Sequence, residues 1–568
     1  MKFANYKPIN PVCRSGFSPV TVDNYTVRLI QKDLACSVVF YLGRGDRPYR
    51  PTSISLPYNT SISLSSDHFT VQCNDLLKRT SLPTVPYISI RYDENVRQRL
   101  ATTKKNPDNF NILILGLDSV SRMQFERMLP KTFAYITKEL DGIILKGYNI
   151  LGDGTPAQII PILTGMQERE LPSTLHRDKN GSFVDVYPFI WNQYRERGYV
   201  TGYAEDGPSM GIWTLRLRGF NRTPTDHYMT PFYRLSAARS YLYAQNSYCF
   251  GGQTSYEHFL SYIRKFWSSY STDKKFFFGF FKQYTHNEYS RGSLLDASIF
   301  NILQTLNKTG ELERTIVIVM SDHGARFSIA RLSSQGTIEE RLPFMSFMLP
   351  PSFRRKYPDA VQALRTNIHR FTTPFDIHAT LMSLFDMNQT DLSIKPDVTQ
   401  RNISLFKIIP AQRTCEHIRL PPHWCSCLQW KQVKTNDQLI KRAAEHLVSH
   451  INKYLDEVTE KLCQSLTLGS IRSAQMYKKT EQNTSQTFER GVRKLSHWNR
   501  ASDIIFYQIT FETKPNGAIY EGTTQYTQRT DSLYTDLSHI SRLNAYKSSA
   551  DCIVRKYPHL RKFCMCVK

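Results

Sequence analysis

The sequence predicts an α/β fold built on a mainly parallel β-sheet with helices on both faces. Two apolar runs that end in an acid, at residues 110–119 and 314–324, are typical of strands buried on both sides. Segments of helical length, such as 295–310, lie between these and further apolar runs at 275–281 and 342–350. Because alternating strands and helices favour parallel pairing, we expect a layered sheet.

The chain is expected to divide into three parts. Residues 1–105 hold short β-like segments broken by Pro, Asn and Gly, which predict a small β-rich N-terminal region. Residues 106–410 are expected to form the α/β catalytic domain, closed by an apolar helix near 370–387. Residues 411–568 should form a cysteine-rich C-terminal region with a long helix within 437–463.

Seven of the eleven cysteines lie after residue 410, and this clustering predicts disulfide bonds in the C-terminal region. Buried free thiols are one alternative. The other is a zinc site, although no CxxC pair is present. Its candidate ligands are Cys415, His417, His423, Cys425 and Cys427.

The composition favours a folded protein with anionic partners. A formal charge of +24 attracts phosphates, sulfated glycans, nucleic acid or acidic membranes. The basic residues are scattered and no nucleic-acid-binding motif occurs, so nucleic acid is not an expected partner.

The sequence also predicts a secretory compartment. Eight Asn-x-Ser/Thr sequons accompany the clustered cysteines, which favours oxidised thiols and glycosylation. The chain begins without an apolar signal core, so we expect a signal peptide or anchor upstream, and membrane attachment only through such a segment. The sequons are at Asn24, Asn59, Asn180, Asn221, Asn307, Asn388, Asn402 and Asn483.

The acid-terminated strands indicate a divalent-metal site. If both strands are central in one parallel sheet, Asp118 and the pair Asp322 and His323 emerge at the same edge. Oxygen and nitrogen ligands of this kind suit zinc or manganese. Taken singly, each has a structural alternative, a helix N-cap for the aspartates and a turn for Asp-His-Gly.

Thr155 is the candidate nucleophile. It stands in "GDGTP", where Gly154 allows a tight turn and Pro156 suits the first position of a helix. The alternative is a threonine N-cap, which is compatible with a reactive hydroxyl at a helix N-terminus. A metal bound to this hydroxyl would favour the alkoxide. Asp153 is interpreted as a turn former and not as a ligand.

The ordered motifs "ILGLDS", "GDGT", "SDHG" and "TTPFDIHATL" resemble the alkaline phosphatase superfamily, in the sulfatase-like branch that includes phosphoethanolamine transferases and lipoteichoic acid synthases. Together with "EERLPF", "HWCSC" and "KFCMC", they more closely resemble a metazoan domain-of-unknown-function family that is abundant in nematodes. The resemblance covers roughly residues 105–568 and implies an alkaline-phosphatase-like fold.

By position, the resemblance implies that Asp118, Asp322 and His323 bind one metal, with Thr155 as the metal-bound nucleophile. His286 resembles a histidine near the substrate or leaving group; the alternative is a loop histidine with a local hydrogen bond. No cysteine stands in the sulfatase pattern Cys-x-Pro-x-Arg, and no Asp-x-x-x-His pair of a two-metal phosphodiesterase occurs. A single divalent metal, zinc or manganese, is therefore expected.

Three further residues follow the same motifs. Arg326 and Glu340 flank the site in sequence and are candidates for binding the substrate, with solvated surface charges as the alternative. His378 lies inside an apolar helix and is expected to be a core histidine or one that supports the site from behind.

The sequence thus predicts a metal-dependent phosphoester hydrolase or phospho-group transferase. Its substrate would be an anionic phosphoester carried on a glycan or lipid outside the cell or in a secretory lumen. The alternatives are a non-catalytic extracellular binding protein with the same fold and a sulfatase. The oligomeric state is left open.

Overall fold

The computed structural model divides into two compact units, each discontinuous in sequence. The first contains Met1–Tyr148, Gly154–Gly324 and Leu342–Ala411; the second contains Asn149–Asp153, Ala325–Arg341 and Gln412–Lys568. The structure describes residues 8–567 except 14–17, 24, 44, 48–49, 104–108, 208–210, 239–247, 251, 287–289, 386, 389–391, 393, 460, 479–502, 547 and 555. The sequons at Asn24 and Asn483 lie outside the described residues.

The first unit contains seventeen of the described strands. In chain order they are β1 (Val20–Asp23), β2 (Thr26–Leu29), β3 (Leu34–Leu42), β4 (Arg50–Leu56), β5 (Ser61–Ser63), β6 (His68–Asp75), β7 (Thr80–Ser81), β8 (Val85–Ile88), β9 (Asn111–Leu117), β10 (Ile143–Ile144), β11 (Val200–Glu205), β12 (His227–Tyr228), β13 (Cys249–Phe250), β14 (Gln253–Thr254), β15 (Lys275–Phe281), β16 (Thr315–Ser321) and β17 (Met345–Met348).

Of the described α-helices, α9 and α13 belong to the second unit and the others to the first. In chain order they are α1 (Glu94–Thr102), α2 (Arg122–Met128), α3 (Pro130–Ala134), α4 (Pro156–Thr164), α5 (Ile190–Glu196), α6 (Thr230–Ala238), α7 (Ser255–Ser269), α8 (Asp296–Lys308), α9 (Ser334–Arg341), α10 (Pro351–Lys356), α11 (Pro358–Thr366), α12 (Pro374–Ser383) and α13 (Gln438–Val458).

The predicted mainly parallel sheet is confirmed. Its seven strands run in the order β10-β17-β16-β9-β15-β11-β12. Strands β16, β9, β15, β11 and β12 are parallel, whereas β17 is antiparallel to β16 and β10 to β17. The apolar runs around residues 110–119, 275–281, 314–324 and 342–350 supply four of these strands, as the sequence indicates.

Helices cover both faces of this sheet, also as predicted. Alternate residues of β9 belong to two separate cores: Ile112 and Ile114 pack with Ile159 of α4, and Leu113 and Leu115 pack with the other core. The second core includes residues of α2, α7 and α8. Every residue of β9 is buried, which explains why its sequence is continuously apolar and does not alternate.

Residues near the N-terminus form two small antiparallel sheets within the first unit. One has the order β1-β2-β5, and the other has the order β4-β3-β6-β7, with β8 also paired to β6. The pair Cys36–Cys73 joins β3 to β6 as a disulfide. The β-rich character that the sequence predicts for this stretch is therefore observed.

The second unit is an antiparallel sheet with one long helix. Its strands are β18 (Lys431–Gln432), β19 (Thr467–Lys478), β20 (Ile504–Lys514), β21 (Ile519–Thr527), β22 (Ser532–Tyr534) and β23 (Ile540–Arg542). They pair in the order β18-β19-β20-β21-β22, with β23 also on β21. The buried face of α13, including Leu447 and Ile451, packs on Ile509 and Tyr520 of this sheet.

Ten of the eleven cysteines form disulfides, so the alternative of buried free thiols is wrong. The pairs are Cys13–Cys249, Cys36–Cys73, Cys415–Cys425, Cys463–Cys564 and Cys552–Cys566, and Cys427 is free and exposed.

The alternative zinc site is also wrong. Cys415 and Cys425 are bonded to each other. Both ring nitrogens of His423 face the hydroxyls of Thr523 and Ser541.

Among the described helices, none combines the length and apolar character needed to cross a bilayer. Five disulfides fit a protein of an extracellular or luminal compartment.

Candidate active site

In the first unit, the strand register aligns the ends of the acid-terminated strands β9 and β16. Leu117 of β9 pairs with Ser321 of β16 on one side and with Phe281 of β15 on the other. The residues that follow, Asp118 and Asp322, therefore leave the sheet side by side at its carboxyl edge. This edge is where open parallel sheets bind their ligands.

Asp118, Asp322 and His323 form a buried group with the composition of a metal site. One potential ligand atom of each lies within 4.8 Å of the others. The three side chains are 2%, 0% and 1% exposed. Buried charges of this kind require pairing or a cation.

The hydrogen bonds leave two ligand atoms of this group without partners. The Nδ1 atom of His323 lies 2.8 Å from the carbonyl oxygen of Gly324, which can only accept, so Nδ1 carries the proton and Nε2 presents a lone pair. That Nε2 lies 3.2 Å from Asp322 Oδ2, and neither atom has a hydrogen-bond partner. Two facing lone pairs suit a cation, and a ring N–H held by a carbonyl is the usual support of a metal-binding histidine.

Backbone geometry holds the other carboxylate oxygens. Ser119 has φ of 61°, an uncommon conformation for a residue other than glycine, and its N–H donates to Asp322 Oδ1 at 2.9 Å. Its hydroxyl donates to Asp118 Oδ1 at 2.6 Å. The His323 N–H also donates to Asp322 Oδ1, at 2.8 Å. The two carboxylates are thereby fixed in place before any ligand binds.

The two aspartates differ in their proton affinity. Burial raises the pKa of Asp322 above its ordinary value, and the neighbouring Asp118 charge adds to this effect, although His323 opposes it. Burial acts in the same direction on Asp118, but His286, His323 and the Ser119 hydroxyl outweigh it and lower the pKa of Asp118. Adjacent carboxylates repel unless a cation lies between them.

Thr155 joins this group from the start of α4. It occupies the N-cap position, yet its side chain makes no capping hydrogen bond, so its predicted alternative role as a cap is not observed. Hydrogen bonding from Thr155 opposes the rise in the pKa of Asp322, which indicates that the hydroxyl is close to this carboxyl. Gly154, with φ of 79°, makes the turn, and Pro156 opens the helix, as the sequence predicts.

His286 follows β15 at the same edge of the sheet. Its N–H donates to the Lys282 carbonyl oxygen at 3.0 Å, and its charge lowers the pKa of Asp118. The hydrogen bond is made by the backbone, so only the effect on the pKa of Asp118 indicates that the ring is near this carboxylate. Its role at the leaving group stays a prediction.

The candidates for substrate binding lie in the second unit, in ion pairs. Arg326 Nη1 contacts Asp153 Oδ1 at 2.7 Å. Glu340 is buried, and its Oε2 accepts from Arg331 Nε at 2.5 Å. Asp153 is more than a turn former, because Lys562 Nζ also contacts its Oδ2 at 3.0 Å.

His378 is half-buried and lies against α4. Its Nδ1 faces the carbonyl oxygen of Ile162 in α4 at 3.0 Å, and burial lowers its pKa. Gly165 leaves room for this ring: a Cβ at that position would lie 2.7 Å from the His378 side chain.

Sequence reasoning missed a second set of charged residues at this edge. Glu205 ends β11, and burial raises its pKa to about 7; burial also raises the pKa of the next residue, Asp206, to about 6. The Lys282 ammonium lowers both values and also that of Asp118. The stretch before Glu205 is apolar and ends in acids, which is the same signal that identified Asp118.

Comparisons with known proteins give a family and distant structural likenesses. Residues 45–472, more than half of the chain, match the family profile described as "Protein of unknown function (DUF229)". This match confirms the predicted resemblance to a family of unknown function. No curated protein matches the chain.

Several solved structures resemble the chain distantly. A protein in the alkaline phosphatase superfamily from Vibrio parahaemolyticus is 13% identical, with 83% of this chain and 95% of that chain covered and a TM-score of 0.35. The zinc complex of the C-terminal periplasmic domain of EcEptC from Escherichia coli is 13% identical, with coverages of 54% and 89% and a TM-score of 0.35. Lipoteichoic acid synthase LtaP from Listeria monocytogenes is 11% identical, with coverages of 55% and 80% and a TM-score of 0.33. Likenesses at this level assign no activity, which has to be argued from the residues of the site.

Proposed function

Since the chain belongs to the DUF229 family, whose description assigns no activity, we propose from its site that it is a metal-dependent phosphoester hydrolase or phospho-group transferase. The observation that carries this proposal is the pair of facing, unpartnered ligand atoms, Asp322 Oδ2 and His323 Nε2, beside the Asp118 carboxylate. The uncapped hydroxyl of Thr155 adds a nucleophile to them.

Asp118, Asp322, His323 and Thr155 would hold one zinc or manganese ion. Two carboxylates, an imidazole and a hydroxyl match the ligand preferences of these ions. When bound, the ion supplies Lewis acidity, which lowers the pKa of the threonine hydroxyl and polarises the phosphoryl oxygens.

The reaction proceeds in two displacements at phosphorus. Thr155 Oγ forms a bond to phosphorus while the bond from phosphorus to the leaving oxygen breaks. The hydroxyl proton passes to the nearby carboxylate of Asp322, and His286 donates a proton to the leaving oxygen.

In the second displacement, water or an acceptor hydroxyl attacks the phosphothreonine. His286 takes the proton of the attacking group, and Thr155 Oγ leaves and recovers its proton from Asp322. Water gives a hydrolase and an alcohol gives a transferase. The net charge of +24 favours an anionic substrate, and the disulfides favour a secreted or luminal setting.

A substrate panel tests the proposal. The full chain is assayed with chromogenic phosphate monoesters, phosphodiesters and sulfate esters, with and without chelator, and with glycerol as an acceptor alcohol. We expect turnover of a phosphoester that chelator abolishes and zinc or manganese restores. Turnover of sulfate esters alone, or phosphoester turnover that survives complete metal removal, would contradict it.

Metal content provides an independent test. His323→Ala should lose the single equivalent of bound metal, whereas His378→Ala, a change in a histidine bonded to α4, should retain it. Equal metal content in wild type and His323→Ala would show that His323 is not a metal ligand. Bound metal without turnover of any ester would favour the non-catalytic binding protein.

A further inference from the structure

Two arginines of the second unit surround one tyrosine. The Cζ atom of Arg542 lies 5.1 Å from the centroid of the Tyr546 ring, and that of Arg561 lies 5.6 Å from it. Both distances are in the range of cation–π contacts. Two basic side chains therefore lie close to a single aromatic ring.

Neither arginine has a carboxylate partner in the described part of the chain. Arg542 is only 5% exposed, yet its guanidinium donates to neutral groups: Asn544 Oδ1 at 3.2 Å, the Lys562 carbonyl oxygen at 3.2 Å and the Ala545 carbonyl oxygen at 3.5 Å. Burial lowers the pKa of this guanidinium. The Nε atom of Arg561 is buried and makes no hydrogen bond. Buried cations without a counter-charge are costly for a fold to retain.

The surroundings add positive charge. Phe327 packs against Tyr546 edge-on, with ring centroids 5.1 Å apart, and Arg326 lies over Phe327. Arg326 and Lys562 share one carboxylate, that of Asp153. Burial raises the pKa of Tyr546; the neighbouring charges with the largest effects on it are those of Arg326, Arg542 and Arg561, which lower it, and that of Asp153, which raises it.

The same unit shows how buried arginines are neutralised when they serve only the fold. Arg331 contacts Glu340 at 2.5 Å and Glu521 at 3.0 Å, and Arg341 contacts Glu521 at 2.7 Å. Two arginines meet two glutamates there. The group around Tyr546 lacks this balance, which indicates that its missing counter-charge comes from a ligand.

We propose that Arg542 and Arg561, both beside Tyr546, form a binding site for an oxyanion, a sulfate or phosphate ester group carried on a saccharide. Guanidinium groups bind such tetrahedral oxyanions with paired N–H donors. The inference deepens the proposed function by naming a saccharide as the substrate's carrier, but binding at this site requires no turnover.

A lipid surface fits the site less well. Within the described residues of the second unit, the exposed large apolar side chains are Leu332, Ile338, Leu462, Tyr534 and Val567. None of these lies between residues 540 and 546 or between 556 and 562, where the arginines and the tyrosine are. An interfacial lipid site needs an apolar surface next to its basic residues.

Titration of the full chain with sucrose octasulfate, followed by calorimetry, tests the proposal. Arg561→Gln should raise Kd by about tenfold or more, since a charge-assisted contact to the oxyanion is lost. Arg529→Gln, which removes an equally charged but exposed arginine of the same unit, should change Kd by less than about twofold. Arg542→Gln is measured with its Tm, because that side chain is buried.

The controls separate the possible ligands. Unsulfated sucrose should not bind, and vesicles of phosphatidylcholine with phosphatidylserine should bind no better to wild type than to Arg561→Gln. An unchanged Kd for sucrose octasulfate in Arg561→Gln would overturn the proposal, and so would an equal loss of affinity in Arg529→Gln. Binding of the vesicles that depends on the arginines, without binding of the saccharide, would also overturn it. An inactive ester panel together with saccharide binding would reject the catalytic proposal and retain this site.

Discussion

At the scale of single residues, the candidate site is defined by atoms that lack partners. Asp322 Oδ2 and His323 Nε2 face each other across 3.2 Å with no hydrogen bond to either. The remaining polar atoms of the same two side chains are satisfied by backbone groups. A fold that satisfies every other atom of these residues leaves this gap for a ligand.

Thr155→Ala tests the nucleophile. We expect kcat for the preferred phosphoester to fall by at least about 10³-fold, because the variant lacks the group that forms the bond to phosphorus in the proposed reaction. The Tm should change little, because the side chain makes no capping bond to α4. Thr155→Ser keeps a hydroxyl and should retain measurable turnover. Wild-type rates in Thr155→Ala would rule out a role for this residue in bond formation.

A residue's role could be predicted from the sequence where local strand structure positions the residue, but not where tertiary contacts do. Asp118, Asp322 and His323 were found because a buried strand must be apolar, so a charge at its end stands out. The same rule would have found Glu205 and Asp206, had it been applied to every apolar run. The ion pairs of Arg326 and Glu340 were not predictable, since their nearest partners Asp153 and Arg331 are set by tertiary packing.

At the scale of elements, a buried ionic network holds the segment 325–341 to the second unit's sheet. Arg331 and Arg341 both contact Glu521 of β21, and all three side chains are almost completely buried. Burial alone would raise the pKa of Glu521, but the two arginines overcome it and lower that pKa to about 2. The folded state therefore favours the ionised carboxylate.

Glu521→Gln should destabilise the protein by roughly 3–5 kcal/mol at neutral pH, because it leaves buried arginines without a counter-charge. A lowered folded-state pKa stabilises the protein above the unfolded value of about 4.3, and this contribution is lost as pH falls toward 2. The difference between variant and wild type should thus shrink below about pH 4. Chemical denaturation over a pH series measures this difference in the free energy of unfolding.

Glu512→Gln is the matched control. Glu512 lies on β20 in the same sheet and contacts Arg472, but both side chains are substantially exposed. An exposed pair contributes about 0–1 kcal/mol. If Glu512→Gln and Glu521→Gln lower the free energy of unfolding equally, the buried network contributes no more stability than the exposed pair.

The strands and helices were easier to predict than their assignment to the two compact units. The apolar runs and amphipathic segments identified β9, β15, β16 and α13 from local periodicity alone. The assignment of 325–341 to the second unit depends on Glu521, which is 180–190 residues further along the chain. Local periodicity carries no information about such a pairing.

At the scale of the whole molecule, the disulfides fit an extracellular or luminal environment. The disulfides of the second unit close loops of very different length: Cys463–Cys564 spans 101 residues and Cys552–Cys566 spans 14. Longer loops restrict the unfolded chain more.

Removal of the long-range disulfide should therefore cost more stability than removal of the short one. Loop-entropy estimates are about 4.7 kcal/mol for a 100-residue loop and about 3 kcal/mol for a 15-residue loop. We expect a lower Tm for Cys463→Ser/Cys564→Ser than for Cys552→Ser/Cys566→Ser in calorimetry. The reverse order would show that native contacts, and not loop length, decide the effect.

Glycan occupancy tests the compartment. Asn180, Asn307 and Asn402 are exposed and should carry N-glycans after expression in secretory cells, whereas Asn221, whose Oδ1 is buried, should carry little. Glycopeptide mass spectrometry measures each site. Unmodified asparagine at all three exposed positions would contradict passage through the secretory pathway.

The discontinuity of the second unit has a consequence for synthesis on the ribosome. Arg331 and Arg341 leave the exit tunnel well before Glu521, by 190 and 180 residues. At about 5–20 residues per second, that delay is roughly 10–40 s. During this delay, Arg331 and Arg341 lack Glu521, the carboxylate that they contact in the folded protein. Residues 325–341 are therefore exposed to chaperones and proteases until Glu521 has been synthesised.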